Sequence, residues 1–93
     1  MGITRIQTNT VEDFKIYPNP FKNSFTLQLS ENTTYPVNVE VLNYLGRKVY
    51  TQTITTRITE ITLNYQLLSG TYFVKMTIQT TQVVERIVKM KVR

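Results

Sequence analysis

Hydrophobic side chains in this sequence recur at every second residue, in short runs broken by turn formers, and that period decides most of what the chain can become. Ser24 to Ser30 sets Phe25, Leu27 and Leu29 on one side and Thr26 and Gln28 on the other. Pro36 to Asn43 sets Val37, Val39 and Val41 against Asn38 and Glu40. Thr71 to Gln79, the clearest of the runs, sets Tyr72, Val74, Met76 and Ile78 against Phe73, Lys75 and Thr77. Such alternation puts one face of an extended strand in a core and the other in water. No window carries the 3.6-residue period of an amphipathic helix, so strands alone are expected.

The remaining segments fit the same scheme. Phe14 to Tyr17 is a short first strand, stopped at Pro18-Asn19-Pro20 by two prolines that lack an N–H and push the residues before them away from helix. Asn43-Tyr44-Leu45-Gly46 predicts a tight hairpin with Gly46 at positive φ. Its partner, Arg47 to Ile54, loses parity across Val49, Tyr50 and Ile54, which predicts a bulge or an edge. Polar Thr55 to Thr59 leads to a short strand from Glu60 to Asn64, with Ile61 and Leu63 inward. In Tyr65-Gln66-Leu67-Leu68-Ser69-Gly70 the leucines are expected to plug the end of the core. The last segment, Val83 to Val92, is expected to turn Val84, Val88, Met90 and Val92 inward and Glu85, Ile87, Lys89 and Lys91 outward. Together these predict an all-β, immunoglobulin-like antiparallel β-sandwich of about seven strands. It lacks the cysteine pair and tryptophan of antibody domains, so aliphatic and tyrosine packing must hold it.

A chain of 93 residues has room for one such unit. Residues 14–93 are expected to form it, and the polar segment 1–13 reads as a linker or an expression-derived N-terminal segment. Met1-Gly2-Ile3-Thr4-Arg5-Ile6 lacks the apolar core of a signal peptide, so a secreted form is expected to travel attached to something larger. No apolar run approaches the ~20 residues of a membrane-spanning helix. The net charge of +5 and pI near 9.7 raise nucleic acid as a partner. The cations are scattered, however, through Lys15, Lys22, Arg47, Lys48, Arg57, Lys75 and Arg86, with one run at Lys89-Met90-Lys91-Val92-Arg93. No nucleic-acid partner is expected from that spread.

Histidine and cysteine are both absent, which removes the commonest general base, the commonest neutral-pH nucleophile and the usual zinc ligands. Glu12-Asp13 is the only adjacent acidic pair, and Gly2, Gly46 and Gly70 lie too far apart for a phosphate loop. The sequence therefore predicts no enzyme, with no catalytic residue, cofactor or metal. Three features keep two readings each. Tyr17-Pro18-Asn19-Pro20 is a rigid corner or a recognition loop. Arg47 is a solvated rim residue or a contact for an anion. The basic terminal strand either protects a sheet edge with lysines or docks on a partner's sheet.

Taken in order, Tyr17-Pro18-Asn19-Pro20, Asn43-Tyr44-Leu45-Gly46-Arg47-Lys48-Val49, Leu68-Ser69-Gly70-Thr71-Tyr72-Phe73-Val74 and Val88-Lys89-Met90-Lys91-Val92 resemble the C-terminal sorting domain, type A, of the type IX (Por) secretion system. Asn43 stands where the family pattern often has aspartate. The resemblance covers Phe14 to Arg93. It implies a domain at the C-terminus of secreted or cell-surface proteins of Gram-negative Bacteroidetes, recognised by an outer-membrane translocon and then removed by a sortase-like peptidase. The cut would fall within or before residues 1–13. The upstream cargo would cross the periplasm and be released or joined to anionic lipopolysaccharide at the cell surface. On this resemblance Tyr17, Pro18, Asn19, Pro20, Gly46, Arg47, Gly70 and Tyr72 are motif residues that shape the fold. Lys89, Lys91, Val92 and Arg93 are the part presented to the translocon, and a weak homodimer is an additional expected partner. The alternative is an adhesion or carbohydrate-binding accessory module using Tyr35, Tyr44, Tyr50 and Phe73.

Overall fold

The computed structural model describes residues 14–63 and 67–91. The expected linker at 1–13, the segment 64–66 that includes Tyr65 and Gln66 of the connection, and Val92 and Arg93 lie outside the described residues. Seven strands are present: β1 (Lys15–Tyr17), β2 (Ser24–Gln28), β3 (Val37–Asn43), β4 (Lys48–Ile54), β5 (Ile58–Thr62), β6 (Gly70–Ile78) and β7 (Thr81–Lys89). They form a three-stranded sheet, β1-β2-β5, and a four-stranded sheet, β4-β3-β6-β7, antiparallel throughout. The predicted all-β sandwich is what forms.

The alternation seen in sequence becomes the core. Phe25, Leu27, Leu29, Ile61 and Leu63 face inward from one sheet, and Val37, Val39, Val41, Ile54, Tyr72, Val74, Met76 and Ile78 from the other. Cross-strand register aligns these faces: Val39 stands opposite Met76, and Val41 opposite Val74. A one-residue slip would turn every one of these side chains to water, so burial itself fixes the pairing.

Turn chemistry follows the sequence at the β3–β4 hairpin. Gly46 has φ of 84°, and its N–H donates to the Asn43 carbonyl at 2.9 Å. The Asn43 side-chain Oδ1 accepts from both the Leu45 and Arg47 N–H groups, each at 2.9 Å. Only the oxygen of the Asn43 amide is used in these bonds, an acceptor that an aspartate carboxylate also offers. The pairing shifts between Val41, opposite Tyr50, and Leu42, opposite Lys48. Val49 is the extra residue of that bulge. The lost parity of this segment thus comes from both predicted causes, since β4 is also a sheet edge.

Two expectations are corrected. In β7 it is Ile87 and Lys89 that are buried, while Val84 and Met90 are exposed and Val88 is half-buried on the outer face. The segment offers apolar residues at both parities, and the β6 register chooses the odd set: Ile87 pairs with inward Tyr72, and Val83 with inward Met76. Of the two leucines, Leu67 packs on the core and Leu68 is 80% exposed.

Asn43→Ala removes one acceptor from two N–H groups and is expected to cost about 1–2 kcal/mol in urea unfolding, whereas Asn43→Asp should stay within about 0.5 kcal/mol of the parent.

Candidate functional site

The loops and strand ends at one pole of the sandwich gather most of the motif residues. The β3–β4 turn and the start of β6 meet there around a cleft of about 230 Å³, lined by Asn43, Val49, Leu67 and Tyr72 with Tyr44 and Leu68 at its mouth. Tyr44 is 73% exposed, and Leu45 beside it on the same turn is nearly as open. The buried Tyr72 hydroxyl donates to the Leu68 carbonyl at 2.6 Å, four residues upstream. That bond resembles the tyrosine corner of immunoglobulin-like domains, and it moors the connection to β6. Burial pushes the Tyr72 phenol above its ordinary pKa, so it stays a donor throughout the physiological range. Gly70 begins β6 at φ of 137°, a backbone state open to glycine, opposite Lys89 of β7.

Lys89 is corrected from its expected outward position: it is 2% exposed. In register Lys89 stands opposite Gly70, and its backbone forms a parallel bridge with Phe21. A lysine can occupy such a place because its four methylenes pack as an apolar side chain. Lys91 is exposed, as expected. Arg47 is exposed too, while its backbone N–H and carbonyl are engaged by Asn43 in the turn. Tyr17, on β1, donates its hydroxyl to Gln28 Oε1 at 3.1 Å and braces the first strand.

Phe21 was not singled out by sequence and is the central residue of the terminal strand's surroundings. It is fully buried, and its ring meets Phe25 edge-on at 5.1 Å. Its N–H donates to the Val88 carbonyl at 2.9 Å, and its carbonyl accepts from the Met90 N–H at 2.7 Å. The Pro18-Asn19-Pro20 corner therefore serves to carry the chain from the three-stranded sheet onto the outer edge of β7. The apolar residue directly after two prolines was the available signal.

On the outer face of the four-stranded sheet, Glu40 bonds Lys48 at 3.1 Å and faces Lys75 at 3.8 Å. The Lys48 contact, more than the Lys75 charge, holds the Glu40 carboxyl below its ordinary range. Phe73, cross-strand from Arg86, lies half-buried on that face. Tyr35 and Tyr50 instead pack against the core, and Tyr44 stands at the pole. The four aromatics do not assemble into a stacking platform for a sugar. Among the described residues no three acidic groups converge on a metal position.

The described pole carries exposed Arg47 and Lys91 beside exposed Tyr44, Leu45 and Leu68. The chain belongs to the secretion system C-terminal sorting domain family, whose model matches residues 15–90. This is a non-catalytic domain of the type IX system that directs secretion of a cargo. As such it interacts with the secretion machinery and with its fused cargo, which ends at the cell surface or outside the cell. Among solved structures, the fold is similar to part of PorZ, an essential bacterial surface component of the type IX secretion system of the human oral-microbiomic Porphyromonas gingivalis. The TM-score is 0.65 at 20% identity, over 85% of this chain and 12% of that one. No curated protein matches significantly.

Lys89→Glu puts a carboxylate in the core and is expected to cost at least about 2 kcal/mol, while Lys91→Glu stays within about 0.5 kcal/mol; chemical denaturation of both variants separates the buried from the exposed lysine. The depressed Glu40 pKa contributes stability that is complete above the ordinary carboxylate value of 4.5 and is lost as pH falls through the lower folded value. Glu40→Gln should remove that part of the acid-side decline in melts at low salt, and high salt should shrink the difference.

Proposed function

We propose that the outer-membrane translocon reads residues 14–93 as a folded address, through side chains at the pole where β7 ends. The observation that carries this is the opposite placement of the start of β1 and the end of β7. Lys15 pairs with Gln28, next to Leu29, whose N–H meets the Arg57 carbonyl, at the pole far from Gly70 and Lys89. On this reading a cargo joined ahead of β1 lies toward the first pole. The second pole carries Arg47, Lys91, Tyr44, Leu45 and Leu68, all exposed. Lys91, followed by Val92 and Arg93, supplies the charge and shape that a complementary surface selects, and Lys89 holds the segment in place from inside.

The structure-shaping motif residues act from within: Gly46 and Arg47 build the turn, and Gly70 and Tyr72 fix the connection. Type A of the sorting domains is the form this motif order fits. After transit through the periplasm and across the outer membrane, a sortase-like peptidase removes the domain by cutting within or before residues 1–13. The cargo is then released or joined to anionic lipopolysaccharide.

The test is a fluorescent reporter with a signal peptide, fused upstream of Ile3 to Arg93, in a type IX-competent bacterium and in a translocon-deficient strain. Export should occur only in the competent strain. Deletion of Lys91 to Arg93, which spares the Met90 N–H bonded to Phe21, should abolish export and leave the thermal melt unchanged. Normal export of that deletion would refute recognition at this pole.

A further inference from the structure

The exposed edge of β7 is closed near its end by another part of the chain, and a single side chain does half of the closing. Asn19 Nδ2 donates to the Arg86 carbonyl at 3.2 Å, and Asn19 Oδ1 accepts from the Val88 N–H at 3.0 Å. The next two bonds come from Phe21, to the Val88 carbonyl and from the Met90 N–H. Strand alternation turns the backbone groups of Arg86, Val88 and Met90 away from β6, so this edge would otherwise be open. The Asn19 amide offers one donor and one acceptor at the spacing of a peptide group, and it substitutes for a strand residue where the chain cannot supply one. The flanking residues explain why it must. Pro18 and Pro20 have no N–H, so the corner pairs with β7 on one side and offers no donor of its own at those positions for further pairing.

We propose that Asn19 is the positioning residue of the sorting address. Its amide latches β7 so that Met90 and Lys91 leave the sandwich at a fixed place, and the machinery reads this fixed exit in place of the strand's edge. Closure is coupled to the core, because the same corner seats Phe21 against Phe25. The proposal rests on docking at the terminal pole, but the latch itself is tested without any secretion machinery.

The experiment pairs amide hydrogen exchange on the full chain with export of the reporter fusion, for Asn19→Ala and Asn19→Asp. Alanine removes the acceptor for Val88, and exchange there should quicken by about tenfold or more, while Val39 and Val74 in the core keep their protection. Aspartate retains that acceptor and loses the donor to Arg86, so Val88 should stay protected. Export should fall for alanine and fall less for aspartate, in step with Val88 protection. Unchanged Val88 exchange in Asn19→Ala would overturn the latch. Faster exchange with undiminished export would overturn its role in positioning and leave docking at Lys91 to Arg93 standing. Increased export would also overturn it, since the latch would then be a restraint. If alanine also lowers protection at Val39 and Val74, the folded aspartate variant decides: Val88 exchanging as fast as in an unpaired strand would sink the proposal. Failure of the pole itself is read separately, as normal export of the Lys91 to Arg93 deletion with the latch intact.

Discussion

Phe21 ties the two sheets together. Its ring belongs to the core beside Phe25 of the three-stranded sheet, while its backbone extends the four-stranded sheet at β7. Among the described residues, the remaining backbone hydrogen bonds outside the ladders stay within one sheet or one turn. Antibody domains join their sheets with a disulfide. This chain has no cysteine, so the sheets are joined by the packed core and, at Phe21, by a buried aromatic pair and a short run of hydrogen bonds. Edge-on aromatic pairs add about 0.5–1.5 kcal/mol beyond their buried area, and the area term for a buried phenylalanine is larger. Loss of this one side chain would loosen both the core and the terminal strand.

That coupling gives the non-catalytic function a physical form. A sorting signal must be read against many other surfaces, and a fixed constellation loses less entropy on binding than a mobile tail. The described pole is fixed from three directions: the Asn43 turn, the Tyr72 hydroxyl on Leu68, and the corner that closes β7. Each device satisfies backbone groups at a place where loops meet. Tyr44, Leu45, Arg47 and Lys91 are exposed there, and the backbone of Leu45 and Arg47 is already engaged by Asn43.

Much of the fold was legible in the order of residues alone. The period-two runs of β2, β3 and β6, the positive φ at Gly46 and the irregularity of β4 all follow from local sterics and from burying one strand face. The candidate site was legible only in part. Four motifs in order marked the family, and Lys91 was placed correctly on the surface. Lys89 was not, because lysine reads as a solvent residue while its methylene stem packs like an apolar one. The facing of β7 was ambiguous for the same local reason: Val83 and Ile87 argue for one parity, Val84, Val88 and Met90 for the other.

The sequence by itself determined the strand count and the turns, since each depends on residues within a few positions of one another. Tertiary structure alone decided which face of β7 is buried and what closes its edge. Asn19 and Val88 stand sixty-nine positions apart, and no local pattern encodes a hydrogen bond between them. Their pairing exists only because the sandwich brings the corner after β1 alongside the last strand, where unpaired backbone groups need partners.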